Sequence, residues 1–245
     1  MTNWKSVHRQ RLFDLLTTLS TSRYWNKLWF KWGTALYFFY QLPRFSVDLD
    51  FDLIAVEAPS VFKDILLSFL QPFVLKKWGT IKPEWTLENS FRFIVQYGGV
   101  KKLKLEFSYT SYPNVYEQRL LLWVPVLTMD IRRMFAHKMA AFIARRQQRG
   151  FLANRDLFDM HFLFWLGVHP SEEIVRMRSL QLTGKELSLS QWYSYLIAFI
   201  MEHKPELEKN ILDGVGELID EQQKIFVKNA LLTEIVRFLE LQRMA

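Results

Sequence analysis

A segment with alternating acids, "RFSVDLDFDLI" at residues 44–54, constrains this chain more than any other feature. Side chains alternate between the two faces of a strand, so this pattern predicts a strand with one apolar and one polar face. The apolar face carries Phe45, Val47, Leu49, Phe51 and Leu53, and the polar face carries Ser46, Asp48, Asp50 and Asp52. Carboxylates ~7 Å apart repel one another and raise each other's pKa. We therefore expect a cation to bind beside this strand.

The chemistry of these acids favours Mg²⁺, which takes carboxylate oxygens together with substrate phosphates in octahedral geometry. Asp48 and Asp50 can bridge a pair of such ions, and the pair would clamp the attacking and leaving oxygens of a phosphoryl transfer. Such a site needs a third carboxylate from another strand. The segment "KKLKLEFSYT" at 101–110 offers Glu106 on its polar face. The competing interpretation of Glu106 is an exposed glutamate on a strand.

A Gly-Thr pair precedes the acids by one helix length. Gly33 and Thr34 open the helical pattern "TALYFFYQL", and thirteen residues separate Thr34 from Asp48. A helix N-terminus presents free N–H groups to a phosphate, a glycine lets the phosphate approach the backbone, and the Thr hydroxyl adds a donor. The competing interpretation is an ordinary helix cap. The spacing predicts that phosphate donors lie beside the metal ligands.

The longer string "KWGTAL…RFSVDLDF" resembles the AbiEii/AbiGii nucleotidyltransferase toxins, within the polymerase-β-like superfamily. Their pattern is Lys-Gly-Gly-Thr-x-Leu followed by Arg-x-Ser-x-Asp-x-Asp. The matching residues are Lys31, Gly33, Thr34, Leu36, Arg44, Ser46, Asp48 and Asp50. Trp32 stands where the family usually has the first glycine, next to the nucleotide that the family binds.

A second block, "AHKMAAFIARRQQRGFLANRDLFDM" at 136–160, also resembles the family, which has a Lys-containing helix, a later Arg and an Arg-Asp-x-x-Asp helix. The matching residues are Lys138, Arg145, Arg155, Asp156 and Asp159. In the family one acid here acts with the lysine in the active site, and the resemblance implies this role for Asp156 or Asp159.

The residue pattern alone does not decide the role of this second block. Lys138, Arg145 and Arg149 fall on one helical stripe, which could hold a triphosphate or an RNA backbone, or could be a solvated basic face. Arg155 and Asp159 are spaced as a surface ion pair.

The order of elements predicts an α+β front half and an all-helical back half. The strand candidates are 23–33, 44–56, 79–88, 90–98, 101–110 and 121–127. We expect a hairpin through Gly98 and Gly99, and an edge position for the last strand because of Pro125. With the resemblance, this becomes a polymerase-β-like mixed sheet flanked by helices at 1–126, followed by a helical domain at 127–245 that completes the active site and binds substrate or partner.

Composition limits the cellular context. The chain has no cysteine, no apolar run near the roughly 18 residues of a membrane span, and no signal-peptide segment, so we expect a soluble cytoplasmic protein. A net charge of +7 favours polyanionic partners.

The resemblance implies a Mg²⁺-dependent nucleotidyltransferase, the toxin of a toxin–antitoxin or abortive-infection system. It would use an NTP and two Mg²⁺ ions, act on an acceptor hydroxyl such as a tRNA 3′ end, and pair with an antitoxin. The expected metal ligands are Asp48, Asp50 and Glu106. The expected nucleotide-binding residues are Lys31, Gly33, Thr34, Arg44 and Arg145. The further catalytic residues would be Ser46, Lys138, Asp156 and Asp159. A protein or small-molecule acceptor, and an inactive binding protein of the same fold, are the alternatives.

Overall fold

The computed structural model of the chain describes residues 4–54, 59–87, 89–98, 101–109 and 111–244. The chain forms two compact units. The first consists of Met1–Gln41, Phe45–Ser111 and Tyr116–Met129. The second consists of Leu42–Arg44, Tyr112–Val115 and Asp130–Ala245. The three-residue segment that contains Arg44 therefore belongs to the helical second unit, although it lies between elements of the first.

The first unit contains three helices, a short 3-10 turn at Trp25–Lys27 and seven strands. The helices are α1 (Trp4–Ser20), α2 (Trp32–Tyr40) and α3 (Pro59–Lys77). The strands are β1 (Leu28–Lys31), β2 (Asp48–Leu53), β3 (Gly79–Leu87), β4 (Ser90–Tyr97), β5 (Lys101–Ser108), β6 (Tyr116–Leu121) and β7 (Val124–Met129).

These strands form one mixed sheet in the order β3-β4-β5-β2-β1-β7-β6. The β2–β5 and β1–β7 pairs are parallel, and the other pairs are antiparallel. The apolar face of β2 lies in the core, where Phe51 stacks on Phe107 of β5 with ring centroids 5.3 Å apart. The alternation in the sequence therefore identified the buried face of the central strand correctly.

Two of the strand predictions need comment. The β4–β5 hairpin is confirmed by its register, Tyr97 opposite Lys101, while Gly99 lies outside the described residues. The edge position predicted for the last strand is wrong, because β7 lies between β1 and β6, and the edge strand β6 was not predicted. Pro125 is tolerated in this inner strand because β7 pairs with β1 only further along, at Thr128. The carbonyl oxygen of Pro125 accepts a hydrogen bond from Trp25 Nε1 at 2.7 Å.

The second unit is helical. Its elements are α4 (Ile131–Arg149), α5 (Asn154–Trp165), α6 (Glu172–Thr183), α7 (Leu189–Glu202), α8 (Lys204–Asn210), α9 (Glu221–Phe226), a π-helical turn (Val227–Leu231) and α10 (Leu232–Met244). The Asp130 carboxylate caps α4 by accepting from the backbone N–H groups of Arg132 and Arg133, and Gly150 ends the helix at a φ of 72°. No helix in the described ranges is long and apolar enough to cross a membrane.

His8 of α1 anchors this helix to the start of the acidic strand. Its Nε2–H donates to the Val47 carbonyl at 2.8 Å, and its Nδ1 then accepts from the Tyr97 hydroxyl, an arrangement that uses the neutral ring. Burial lowers the pKa of His8, against the opposing effect of the Val47 hydrogen bond and the charge of Asp48.

The lowered pKa of His8 makes stability depend on pH. Below the unfolded-state value of about 6.5 the unfolded chain binds this proton more readily, so folding stability should fall as the pH drops below that value. Urea unfolding of wild type and His8→Gln between pH 7.5 and 5.5 tests this. The wild type should lose more stability on acidification than the variant, and equal losses would contradict the role of His8.

Candidate active site

The three acids of β2 do not share one environment. Asp48 and Asp50 are half-buried, whereas Asp52 is only 1% exposed. A buried carboxylate needs a partner charge or hydrogen bonds to remain ionised. The two accessible acids are those that the sequence nominated as metal ligands, and Asp52 has a separate role.

Asp52 is neutralised by a lysine of the neighbouring strand. Lys31 Nζ lies 2.7 Å from Asp52 Oδ1 and donates a second hydrogen bond, also 2.7 Å long, to Ser108 Oγ. The Tyr116 hydroxyl donates to Asp52 Oδ2. The group joins residues of β1, β2, β5 and β6. Sequence reasoning gave Asp52 no role, and its expectation that Lys31 binds nucleotide stays a prediction.

The Gly-Thr turn is tied to the acidic strand by a hydroxyl relay. Thr34 Oγ1 donates to the carbonyl oxygen of Asp48. Because this uses the only hydroxyl proton of Thr34, the 2.7 Å contact with Ser46 must be a donation from Ser46 Oγ to Thr34 Oγ1. The Thr34 side chain thus fixes the start of α2 beside Asp48, and the donors left for a phosphate at this turn are backbone N–H groups.

Glu106 lies directly beside Asp50 on the neighbouring parallel strand. Their side chains therefore point to the same face of the sheet. Arg92 binds Glu106 with both hydrogen bonds on Oε2, at 2.6 Å from Nη2 and 3.1 Å from Nε. The position agrees with a third metal ligand, but one carboxylate oxygen of Glu106 is already engaged by an arginine.

The donor set fits Mg²⁺ through two carboxylates rather than three. Within the described ranges, no three His, Cys, Asp or Glu side chains come together as a ready-made metal site. Mg²⁺ usually keeps several waters and is held by one or two carboxylates plus substrate phosphates. Asp48 and Asp50 supply those hard oxygen donors on one face of β2, next to the turn that offers phosphate donors.

The helical unit holds a second group of charged residues, which we call the buried ion cluster. It consists of Arg44, Lys138, Arg145, Asp156 and Asp159. Arg44 makes a two-pronged contact with Asp159, at 2.6 Å from Nε to Oδ1 and 2.7 Å from Nη2 to Oδ2. Lys138 Nζ lies 2.6 Å from Asp159 Oδ2 and 3.2 Å from Asp156 Oδ1.

The arginine of α4 completes this cluster, since Arg145 donates to Asp156 Oδ2. Both aspartates are fully buried. Burial would raise the pKa of Asp159, but the charges and hydrogen bonds of Arg44 and Lys138 outweigh it and lower that pKa to about 2. Both carboxylates contact Lys138, so the geometry does not choose between them as the acid that acts with the lysine.

The cluster also changes the interpretation of the basic stripe on α4. Lys138 is buried and Arg145 is half-buried, and only Arg149 of the three is exposed. The stripe is therefore not a solvated face at Lys138 and Arg145. Asp159 bonds with Arg44 rather than forming the surface ion pair with Arg155 that its spacing allowed. Sequence reasoning found Arg44 only through the family pattern, as a nucleotide ligand.

Trp32 opens α2 in a backbone conformation that suits glycine. Its φ is 67°, in the left-handed region, where a Cβ atom is crowded by the following carbonyl oxygen. The half-buried indole lies against the Lys31 ammonium, with Nζ 5.4 Å from the ring centroid. The turn thus has a left-handed backbone at position 32, which glycine would adopt without strain, although the residue there is tryptophan.

The chain is similar to known proteins in sequence and in fold. The profile described as "Nucleotidyl transferase AbiEii toxin, Type IV TA system" matches residues 14–220. A search of curated proteins finds no significant match.

Solved structures share the fold. JHP933 from Helicobacter pylori has 21% identity and a TM-score of 0.56, with 100% of this chain and 97% of that chain covered. A putative nucleotidyltransferase from H. pylori has 21% identity and a TM-score of 0.57, covering 99% of each. MenT4, a nucleotidyltransferase toxin from Mycobacterium tuberculosis H37Rv, has 16% identity and a TM-score of 0.54, covering 96% of this chain and 84% of that one. The predicted fold class is confirmed.

The strain at Trp32 can be measured with a matched pair of variants. Trp32→Gly and Trp32→Ala both remove the indole, but only glycine adopts a φ of 67° without a Cβ clash. After the greater flexibility of unfolded glycine is allowed for, Trp32→Gly should be more stable than Trp32→Ala by roughly 0.5–1 kcal/mol in urea unfolding. An alanine variant of equal or higher stability would contradict the strain.

The buried ion cluster should make a large contribution to stability. Arg44→Ala leaves the fully buried Asp159 short of its two-pronged partner, and we expect a loss of about 3 kcal/mol in unfolding free energy. Arg149→Ala, at the exposed end of α4, should cost no more than about 0.5 kcal/mol. Denaturant unfolding of both variants is the measurement, and comparable losses would show that Arg44 does not neutralise Asp159.

Proposed function

Because the chain belongs to the AbiEii nucleotidyltransferase toxin family, we propose that it transfers a nucleotide from an NTP to a hydroxyl of an RNA acceptor, with tRNA 3′ ends as the substrate class and Mg²⁺ as the cofactor. Membership of a type IV toxin–antitoxin family implies a nucleotide substrate and an antitoxin partner. The observation that carries the proposal is the pair of accessible acids, Asp48 and Asp50, beside a turn held at the helix start by Thr34.

The proposed reaction joins the acceptor oxygen to the α-phosphorus of the NTP and breaks the bond to pyrophosphate. The backbone N–H groups at the Gly33–Thr34 turn receive the triphosphate, and Ser46 holds that turn through Thr34. Asp48 and Asp50 would hold Mg²⁺, which when bound neutralises phosphate charge and activates the attacking oxygen. The remaining contribution of the chain is positioning and electrostatic stabilisation.

The buried ion cluster contains cationic residues that the family pattern shares. Arg44 contacts Asp159 with both of its prongs, so we assign it to holding the cluster together. Lys138 and the half-buried Arg145 are the residues of the cluster that we propose to bind phosphate.

The choice of acceptor rests on charge. The chain carries a net charge of +7, which favours a polyanion over a neutral small molecule. A protein side chain remains the second acceptor class, and an inactive binding protein the third. The intact Asp-x-Asp pair, Asp48 and Asp50, argues against an inactive site, because a decayed site would be expected to lose a carboxylate first. A cytoplasmic location stays a prediction.

The proposal predicts a transfer that depends on Asp48. Purified protein is incubated with Mg²⁺, total tRNA and each labelled NTP in turn, and the label is followed into RNA and protein. Wild type should label RNA, and Asp48→Ala should reduce the rate at least about a hundredfold because the metal loses a ligand. Asp64→Ala, which removes an exposed acid of α3, is the matched control and should retain full activity.

The outcomes separate the three functions. Label on protein instead of RNA would favour the second acceptor class. Absence of transfer with every NTP, together with normal growth of cells that express the protein, would contradict the enzyme and favour a binding role.

A further inference from the structure

The face of the sheet that carries Asp48 continues, away from the Gly-Thr turn, into a row of lysines. Asp48 lies opposite Lys104 of β5, Lys104 opposite Ile94 of β4, and Ile94 opposite Lys82 of β3. Residues directly opposite one another on paired strands point to the same face. At about 4.8 Å per strand, the row runs roughly 14 Å outward from β2.

A third lysine extends the row along β5. Lys102 lies two residues before Lys104 and therefore on the same face, opposite Gln96. Lys82, Lys102 and Lys104 are all exposed, and no ion pair engages them within the part of the chain that the structure describes. We call these three residues the lysine face.

The basic residues of two neighbouring rows differ in their partners. The row of Asp50 also contains Glu106 and Arg92, and Arg92 is bound by Glu84 at 2.9 Å as well as by Glu106. That arginine is therefore neutralised within the sheet. The row of Asp48 contains Lys104 and Lys82, and Lys102 lies beyond it on β5.

Strand order separates two places where phosphates can bind. The strand β2 lies between β1, which leads into the Gly33–Thr34 turn, and β5, which carries Lys102 and Lys104. The triphosphate of the NTP belongs at the turn on the β1 side. The lysine face lies on the β5 side of the acids, opposite the side that carries the turn.

Resting on the function proposed above, we propose that the lysine face binds the phosphate backbone of the acceptor RNA. A polyanion approaching Asp48 and Asp50 meets like charge, and the three exposed ammonium groups of the lysine face, two in the row of Asp48 and one beyond it, offset that repulsion. Lysine is a compact point charge that binds phosphate without reading sequence. An acidic protein partner would have no need of a cationic surface that leads to the metal ligands.

The test uses two triple variants of equal net charge. K82Q/K102Q/K104Q removes the lysine face and keeps most of each side chain. The control variant K76Q/K209Q/K228Q removes three exposed lysines that lie in α3, in α8 and in the π-helical turn before α10. The probe is labelled unfractionated tRNA. Its affinity is measured by fluorescence anisotropy from 50 to 200 mM KCl, and the KM values for tRNA and NTP are measured in the transfer assay.

We expect the K82Q/K102Q/K104Q variant to bind tRNA at least about tenfold more weakly and to reduce the log–log salt slope by about 2, since each lost phosphate contact on a single strand changes it by about 0.7. The KM for tRNA should rise while that for NTP stays within twofold. The control triple variant should behave as wild type. Each of the three singly substituted variants should show a smaller loss of tRNA affinity. Thermal melting of every variant would reveal a folding defect.

Three results would overturn the inference. Equal weakening in both triple variants would show a general charge effect. A raised KM for NTP with an unchanged KM for tRNA would assign the lysines to the nucleotide. Competition by poly-glutamate as strong as that by an oligonucleotide of equal charge would point to an acidic protein. Failure of wild type to label RNA contradicts the proposed function instead, whereas labelled RNA with equal KM in both variants contradicts only the lysine face.

Discussion

The ion pair between Lys31 and Asp52 is the interaction on which the first unit's site depends. Three like charges alternate along β2, and the buried one, Asp52, is neutralised by Lys31. The Lys31 ammonium reaches Ser108 as well, and Asp52 also accepts from Tyr116, so the group ties β1, β2, β5 and β6 together at the point where the chain enters α2. This group therefore holds the end of β1 in place, and with it the Gly33–Thr34 turn that follows. Asp48 and Asp50 are the half-buried acids of the strand, and we propose that they bind the cation that comes with the substrate.

The helical unit also contains buried carboxylates, and its own cations neutralise them. Two fully buried carboxylates on α5 would be too costly alone, and two arginines and a lysine neutralise them. The pKa of Asp159 is low because the charges and hydrogen bonds of Arg44 and Lys138 outweigh the effect of burial. Each unit thus stabilises a buried aspartate with its own cations: Lys31 beside Asp52 in the first unit, and Arg44 and Lys138 beside Asp159 in the second.

Sequence patterns predicted what depends on local spacing and missed what depends on strand order. The alternation in β2 gave the buried face and separated Asp48 and Asp50 from the core. The role of Asp52 could not be read, because it requires β1 beside β2 and a tyrosine from β6. That strand was missed because its hairpin turns at Leu122 with a φ of 57° and has no glycine or asparagine to mark it. Likewise, the family pattern located Arg44, but its partner Asp159 lies 115 residues away.

We propose that Asp48 and Asp50 hold a divalent cation together with the nucleotide, while Asp52 is neutralised by Lys31 within the protein. The decisive experiment is Mn²⁺ binding followed by electron paramagnetic resonance, in wild type and Asp50→Asn, with a non-hydrolysable NTP analogue present. Wild type should bind Mn²⁺ in a nucleotide-dependent way, and the folded variant should lose this binding. Equal Mn²⁺ binding by the two proteins would show that Asp50 does not hold the cation.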